Sequence, residues 1–210
     1  MHIQSISVSG LTRIEHQGHS KITGICKQPV NGPVKVSKQG MEGDQQADRK
    51  NHGGVDKAVY AYAVENYRFW EAELGRSLPF GQFGENLAVS GMTDDVIHIG
   101  DIFNFGAVEV QVTQPRVPCS KLGMRMEDAE FVGRFHFSGR VGFYLRVLKE
   151  GMINLGDNII RLHADEGGLT IRDAMLALNK NPRQQEIINR ALAIPALSQA
   201  WRESIKKKQK

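Results

Sequence analysis

Apolar and polar residues alternate over several short stretches of the chain, and this alternation predicts β-strands. The clearest case is residues 107–113, where β-branched residues alternate with polar ones, as is typical of a half-buried strand. We predict further strands at residues 1–9, 21–27, 34–36, 55–62, 142–148 and 158–163. Turns rich in Gly, Pro, Asp and Asn separate these strands, so the pattern up to about residue 165 favours an all-β barrel or sandwich.

Helical periodicity is limited to a few segments. Residues 65–74 predict a helix that ends at Gly75, and residues 126–135 predict a short one. After Gly168 the period becomes helical throughout. Thr170 followed by Asp173 resembles a capping box, Pro182 starts a second helix, and Pro195 occupies the first turn of a third. We therefore predict two units, a strand-rich domain over residues 1–165 and a three-helix extension over residues 166–210.

Composition narrows the class of protein. The chain has 210 residues, 40% of them hydrophobic, and its net charge of +4 lies largely in the tail at residues 206–210. No apolar run approaches the ~18 residues of a membrane span, and the N-terminus lacks the apolar core of a signal peptide. We therefore expect a cytoplasmic protein with no membrane partner. The two cysteines are too few for an iron–sulfur cluster, so electrons for any redox chemistry must come from an external reductase.

One cysteine follows an unusual segment, Gln114-Pro115-Arg116-Val117-Pro118-Cys119. Two prolines restrict the backbone and place the Cys119 thiol at the end of a stiff loop. With Arg116 nearby, a thiolate here could be a metal ligand or a nucleophile, whereas the alternative is a small buried hydrophobe. The sequence leaves both open. Cys26 lies in a predicted strand, where packing in the core is the expected role.

Three other segments could bind a ligand. His52, Gly53, Gly54 and Lys57 place cation-capable groups around a glycine pair, which suggests an anion site or, alternatively, a solvated hairpin turn. Asn86, in Phe83-Gly84-Glu85-Asn86-Leu87, could bind a ligand or satisfy a turn. Arg140 stands between glycines and could reach a phosphate or lie on a hairpin surface.

Taken together, these segments resemble the MOSC domain family. The matching stretches are residues 40–44, 52–62, 83–87, 99–101, 114–119, 139–147 and 156–157. The helical tail resembles that of the small bacterial YiiM-type members. The resemblance implies a mainly β fold, a MOSC-type β-barrel with a few short helices and a small C-terminal three-helix domain. It also implies that Cys119 ligates molybdenum, and that His52, Gly53, Gly54, Lys57, Asn86, Arg116 and Arg140 hold the pyranopterin cofactor.

The function implied by the resemblance is molybdenum-cofactor-dependent reduction of N-hydroxylated substrates such as 6-N-hydroxylaminopurine, a detoxification of base analogues. An alternative is a carrier that transfers molybdenum cofactor or sulfur through Cys119. We expect an external electron-donor reductase as partner, and a homodimer is compatible with the helical extension. Nucleic acid is disfavoured as a partner because the helices lack a sustained basic face with interleaved aromatic residues.

Overall fold

The structure, a computed structural model, describes residues 1–48, 53–176 and 184–208. In these ranges it contains the strands β1 His2–Val8, β2 Thr12–His16, β3 His19–Thr23, β4 Gln28–Pro29, β5 Val34–Ser37, β6 Gly40–Met41, β7 Val59–Ala63, β8 Leu87–Ser90, β9 Ile102–Phe105, β10 Val108–Pro115, β11 Phe143–Lys149, β12 Gly151–Ile153 and β13 Ile159–His163. The helices are α1 Val64–Leu74, α2 Ser120–Met126, α3 Phe131–Phe137, α4 Ile171–Leu176, α5 Gln184–Ala193 and α6 Gln199–Lys208. A single 3-10 turn, Val55–Lys57, precedes β7.

Eight strands form one mixed sheet in the order β13-β9-β10-β11-β7-β8-β1-β4. Strands β7 and β8 are parallel, and α1 provides the crossover that such a pair requires. The mainly β prediction is confirmed, but the described strands do not close into a barrel. Near the ends of the sheet, His2 of β1 forms an isolated bridge with Asn158. Backbone hydrogen bonds extend this contact without forming a paired strand ladder, since the Ile3 N–H donates to the Asp157 carbonyl (3.0 Å) and the Gly156 N–H donates to the Ile3 carbonyl (2.9 Å).

Strand and helix positions follow the polarity pattern closely in the centre of the chain. The predicted strands at residues 107–113 and 142–148 correspond to β10 and β11, which pair along their length. Helix α1 ends at Gly75 in the left-handed conformation, as predicted. The strand predicted from residue 55 begins only at Val59, because the preceding residues turn with the Lys57 N–H donating to the Gly54 carbonyl (2.9 Å).

The short helix predicted at residues 126–135 corresponds to α3, which begins only at Phe131, and the preceding α2, which ends at Met126, was not predicted. Glu127 adopts the left-handed conformation (φ 57°), and its N–H donates back to the carbonyls of Gly123 and Met124, which ends α2. The carboxylate of Asp128 then accepts hydrogen bonds from the N–H groups of Glu130 and Phe131 at the start of α3. The predicted strand at residues 21–27 is also too long, since β3 ends at Thr23 and Cys26 lies in the irregular segment beyond it.

Three helices follow Gly168 in the described ranges, as predicted. Thr170 caps the first, because its Oγ1 accepts a hydrogen bond from the Asp173 N–H (2.9 Å). Pro195 does not open the third helix. That helix begins at Gln199, and Ser198 caps it by accepting a hydrogen bond from the Trp201 N–H (3.2 Å). The division of the chain at residue 165 stays a prediction.

The hydrophobic core is continuous from the sheet into the helical extension. Its aromatic centre is a set of rings between the sheet and helices α1 and α3, namely Tyr62, Tyr67, Trp70, Phe83, Phe131 and Phe135. Leu169, Trp201 and Ile205 of the extension belong to the same buried cluster. Within the described ranges, no helix has the length and apolar character needed to cross a membrane.

Candidate functional site

A cleft of about 580 Å³, including space open to solvent, lies where the proline-rich loop after β10 meets β7 and β11. The loop contributes Arg116 and Cys119, and the two strands contribute Tyr60 and Tyr144, which face each other in the strand register. The connection after β3 forms the opposite wall with residues 23–25. The cleft therefore collects residues from Thr23 to Tyr144, which are far apart in the sequence.

The Cys119 thiol is half-buried and lines this cleft. Strand β10 ends at Pro115, and the backbone remains extended at Cys119 (φ −133°, ψ 171°) immediately before α2 begins. The thiol is reduced, as is that of Cys26. Of the two readings that the sequence left open for Cys119, the position in an open cleft favours a ligand or nucleophile over a residue sealed in the core.

Arg116 is the most deeply buried charge in the wall of the cleft that lacks a carboxylate contact. Its side chain packs across the rings of Tyr60 and Phe135, with the guanidinium carbon 5.6 and 5.3 Å from the two ring centroids. The residue is only 5% exposed, and its Nη1 has no hydrogen-bond partner among the residues that the structure describes. A buried donor without a partner costs free energy. This nitrogen therefore favours the binding of an anionic or strongly polar group in the cleft.

Tyr144 links the arginine to the thiol electrostatically. Burial raises the pKa of the Tyr144 hydroxyl, the nearby charge of Arg116 lowers it in part, and Cys119 raises it further. The net direction is upward, so the hydroxyl keeps its proton at neutral pH. The cleft therefore contains a neutral hydroxyl that can donate a hydrogen bond next to the thiol and the guanidinium.

Lysine side chains add positive charge to the same cleft. Lys57 and Lys121 line it, and the Lys57 Nζ lies 5.9 Å from the centroid of the Tyr144 ring. Burial lowers the pKa of Lys57 from its ordinary value, with Asp56 and Asp48 opposing that change. Lys27 also lines the cleft, but it forms a buried ion pair with Asp44. Arg116, Lys57 and Lys121 thus bring positive charge to the cleft, and the carboxylate of Asp48 also lines it.

Asn86 lines the cleft, but its side chain is held by the backbone. Its Oδ1 accepts a hydrogen bond from the Tyr60 N–H (3.1 Å), and its Nδ2 donates to the Ser7 carbonyl (3.3 Å). Since the residue is 3% exposed, these contacts join β1, β7 and the start of β8 beneath the cleft. Asn86 thus supports the wall of the cleft, and one amide hydrogen remains for a ligand.

Of the residues predicted around the glycine pair, one lines the cleft and the others that the structure describes do not. Lys57 lines the cleft, whereas Gly53 and Gly54 precede the 3-10 turn and are not among the residues that line it. Gly54 has φ +96°, a conformation that favours glycine, and space is open around it. His52 lies outside the described residues.

The structure does not bring Arg140 to the cleft. Its guanidinium stacks on the ring of Phe69 at 4.5 Å and donates to Asn66 Oδ1 (3.2 Å). The backbone beside it has a supporting role. The buried carboxylate of Asp94 accepts hydrogen bonds from the N–H groups of Val141 and Gly142, and the Gly142 carbonyl accepts one from the Arg116 N–H (3.0 Å). This motif therefore fixes the loop that carries Arg116.

The sequence did not indicate Tyr60, Tyr144 or Lys27 as site residues. Both tyrosines lie in strands with ordinary alternation, and only the pairing of β7 with β11 places them together. Lys27 stands in an irregular segment next to Cys26, and a lone lysine there gives no signal of burial. The cluster of positive charge in the predicted motifs was the only indication that more cations could converge on this site.

Comparisons with known proteins agree on one family. The MOSC domain model matches residues 48–160. The protein YflK of Bacillus subtilis (strain 168) is 40% identical over 206 residues, covering 98% of this chain and 93% of its own. The crystal structure of YiiM from Geobacillus stearothermophilus superposes with a TM-score of 0.83 at 34% identity, covering 99% and 98% of the two chains. A protein named "Reductase" from Gibberella moniliformis (strain M3125 / FGSC 7600) is 39% identical over 141 residues, 65% of this chain but 25% of its own.

Proposed function

The chain belongs to the MOSC domain family, and from that premise we propose that it is a molybdenum-cofactor-dependent reductase of N-hydroxylated substrates such as 6-N-hydroxylaminopurine. The observation that carries the proposal is that the Cys119 thiol shares an open cleft with Arg116, whose buried Nη1 has no partner within the described ranges. The similarity to a fungal protein named "Reductase" supports the reaction class.

The residues present fit a molybdenum–pterin group. A thiolate is a soft ligand suited to a metal already bound by sulfur, and Cys119 supplies one. The pterin carries an anionic phosphate, and Arg116, Lys57 and Lys121 supply compensating charge in the same cleft. The buried nitrogen of Arg116 is left without a partner until such a group arrives. Arg140 is not among the residues that line the cleft, and we do not include it in the proposed set.

When bound, the cofactor supplies the two-electron chemistry that cleaves the N–O bond, with amine and water as the products. The chain's own residues bind and orient the reactants. Arg116 neutralises anionic charge, and Asp94 holds the loop behind it through two backbone N–H groups. The Tyr144 hydroxyl retains its proton and can hydrogen-bond to a substrate oxygen near Cys119. The electrons come from a separate reductase.

The reaction is tested with purified protein, 6-N-hydroxylaminopurine and a chemically reduced viologen as electron donor, with adenine formation as the readout. We expect Cys119→Ala to lower the rate by at least about a hundredfold, because the variant loses a metal ligand. Cys26→Ala is the matched control, since Cys26 does not line the cleft. Unchanged turnover by Cys119→Ala would overturn the proposal.

The same experiment distinguishes the proposed reductase from the alternative function, a carrier that transfers cofactor or sulfur through Cys119. A carrier needs the thiol for transfer but forms no adenine in the presence of reductant. Wild-type protein that contains molybdenum and forms no adenine would therefore favour the carrier. Adenine formation that depends on Cys119 would favour the reductase.

A further inference from the structure

A second cavity of about 870 Å³, including space open to solvent, lies on the other side of the start of α2. We name it the hairpin chamber, because the β2–β3 hairpin forms one wall with His16, Gln17 and His19. Helices α2 and α3 and the segment between them form the other wall with Met124, Ala129 and Val132. The chamber shares no lining residue with the cleft that contains Cys119.

The two cavities meet at the first residues of α2. Cys119 and Lys121 line the cleft, whereas Ser120, between them, lines the chamber. The Lys21 Nζ of the hairpin donates a hydrogen bond to the Ser120 Oγ (2.8 Å), which ties the hairpin wall to the residue next to the thiol. A molecule held in the chamber therefore lies against Ser120, the residue that follows the proposed metal ligand in the sequence.

The walls of the chamber differ in chemistry. The helical wall is apolar, and its methionine is adaptable enough to pack against a flat ring. The hairpin wall carries hydrogen-bonding groups, and for one of them, the buried Nε2 of His16, the described residues provide no hydrogen-bond partner. An unpartnered ring nitrogen in a cavity wall is suited to the polar edge of a bound molecule. A cavity with one apolar wall and one polar wall suits a nitrogen heterocycle, which has apolar faces and a polar edge.

We propose that the hairpin chamber binds the heteroaromatic ring of the N-hydroxylated substrate, with His16 contacting the edge of the ring. This inference rests on the proposed function only in its choice of substrate. The cleft would then hold the cofactor and the chamber the base, and the exocyclic N–OH group would extend past Ser120 toward Cys119. The length and tilt of the hairpin would select which rings enter.

The test measures equilibrium binding of radiolabelled adenine by dialysis and the KM for 6-N-hydroxylaminopurine, on the same purified protein. Ala129→Phe fills the chamber at an exposed position, and Ala200→Phe adds the same ring at an exposed position on α6 as control. We expect Ala129→Phe to weaken adenine binding and to raise KM by at least about tenfold, with the molybdenum content unchanged. Ala200→Phe should behave as wild type.

A second variant, His16→Ala, guards against misfolding of the first, and thermal unfolding is recorded for all of them. We expect His16→Ala to weaken adenine binding by about fivefold or more, because a hydrogen bond to the ring is lost. If Ala129→Phe and His16→Ala fold and both bind adenine like wild type, the chamber is not the ring site. Adenine binding that both variants weaken supports the chamber even if no reduction occurs, in which case the proposed function fails alone.

Discussion

Arg116 is only 5% exposed, and one of its nitrogens has no partner among the described residues. Burying a donor in this way costs free energy, and this single residue therefore favours a ligand in the cleft. Stacking on Tyr60 and Phe135 holds the guanidinium in place but gives Nη1 no acceptor. An anion in the cleft removes the cost of desolvation, so ligand binding and local stability are coupled at this residue.

Lys57 gives a prediction about pH at the same scale. Burial lowers its pKa from the ordinary value of 10.5, so the folded chain binds this proton less tightly than the unfolded chain does. Below the lowered pKa, the buried charge of Lys57 reduces the free energy of unfolding. This reduction disappears as the pH rises from the pKa of the folded chain to that of the unfolded chain. Lys57→Met should therefore raise the free energy of unfolding near pH 7, and the gain should shrink in alkaline solution.

Urea unfolding at a series of pH values measures this difference. The matched control is Lys35→Met, which changes an exposed lysine on β5 and should show no comparable trend. A Lys57→Met variant that is less stable than wild type at pH 7, with no dependence on pH, would contradict this account of the charge.

The sequence indicated Cys119 and Arg116 as candidate site residues because both lie in one short segment that prolines restrict. It could not indicate whether the side chains of Arg140 and Tyr144 reach the cleft. The side chain of Arg140 is directed by Phe69 and Asn66, about seventy positions earlier in the chain, and Tyr144 reaches the cleft through the pairing of β7 with β11. Contacts of this range depend on tertiary structure, which a local pattern does not encode.

At the scale of elements, the start of α6 is the contact that joins the helical extension to the cleft. The Ser198 Oγ donates to Gln114 Oε1 (2.7 Å), and the Ser198 N–H donates to the Thr113 carbonyl (3.2 Å). The Gln199 N–H donates to Asp56, which also pairs with Arg146. The extension thus contacts the end of β10 just before Arg116 and the turn that carries Lys57.

Ser198→Ala should lower the free energy of unfolding by about 1–2 kcal/mol, because it removes both the helix cap and the buried hydrogen bond to Gln114. Ser204→Ala in the same helix is the control, since Ser204 is exposed and bonds only within α6. We expect that control to change stability by less than about 0.5 kcal/mol. Equal effects of the two substitutions in urea unfolding would show that the Ser198 contact is not energetically important.

The elements themselves were predictable where one periodicity persisted, as in β10, β11 and α1. The predictions failed where a side chain redirected the backbone. Asp128 starts a new helix within a stretch that appeared continuous, and Ser198 moves the start of α6 beyond Pro195. Proline was the stronger signal in the sequence, but a serine with two buried partners determined where the helix begins.

At the scale of the whole molecule, the sheet and the helical extension share one hydrophobic core. Trp70 is buried between α1 and α3 at 1% exposure, and Trp201 is buried in α6 at 2%. Closure of the sheet into a barrel was not predictable from the sequence, because it depends on how far the contact between two distant segments, around His2 and Asn158, extends.

A shared core predicts cooperative unfolding, and the two tryptophans report on it separately. In Trp201→Phe the fluorescence comes from Trp70, and in Trp70→Phe it comes from Trp201. Within each variant we expect the fluorescence midpoint in urea to coincide with the midpoint by circular dichroism, because sheet and extension unfold together. An earlier fluorescence transition of Trp201 in Trp70→Phe would show instead that the extension unfolds on its own.

We propose above all that the sulfur of Cys119 holds molybdenum in the cleft. The most direct measurement is the molar ratio of molybdenum to protein, by mass spectrometry of the metal, in wild type, Cys26→Ala and Cys119→Ala purified gently from a host supplied with molybdate. The account predicts equal molybdenum in wild type and Cys26→Ala, and at least about tenfold less in a folded Cys119→Ala. Molybdenum retained at the wild-type level by Cys119→Ala would contradict it.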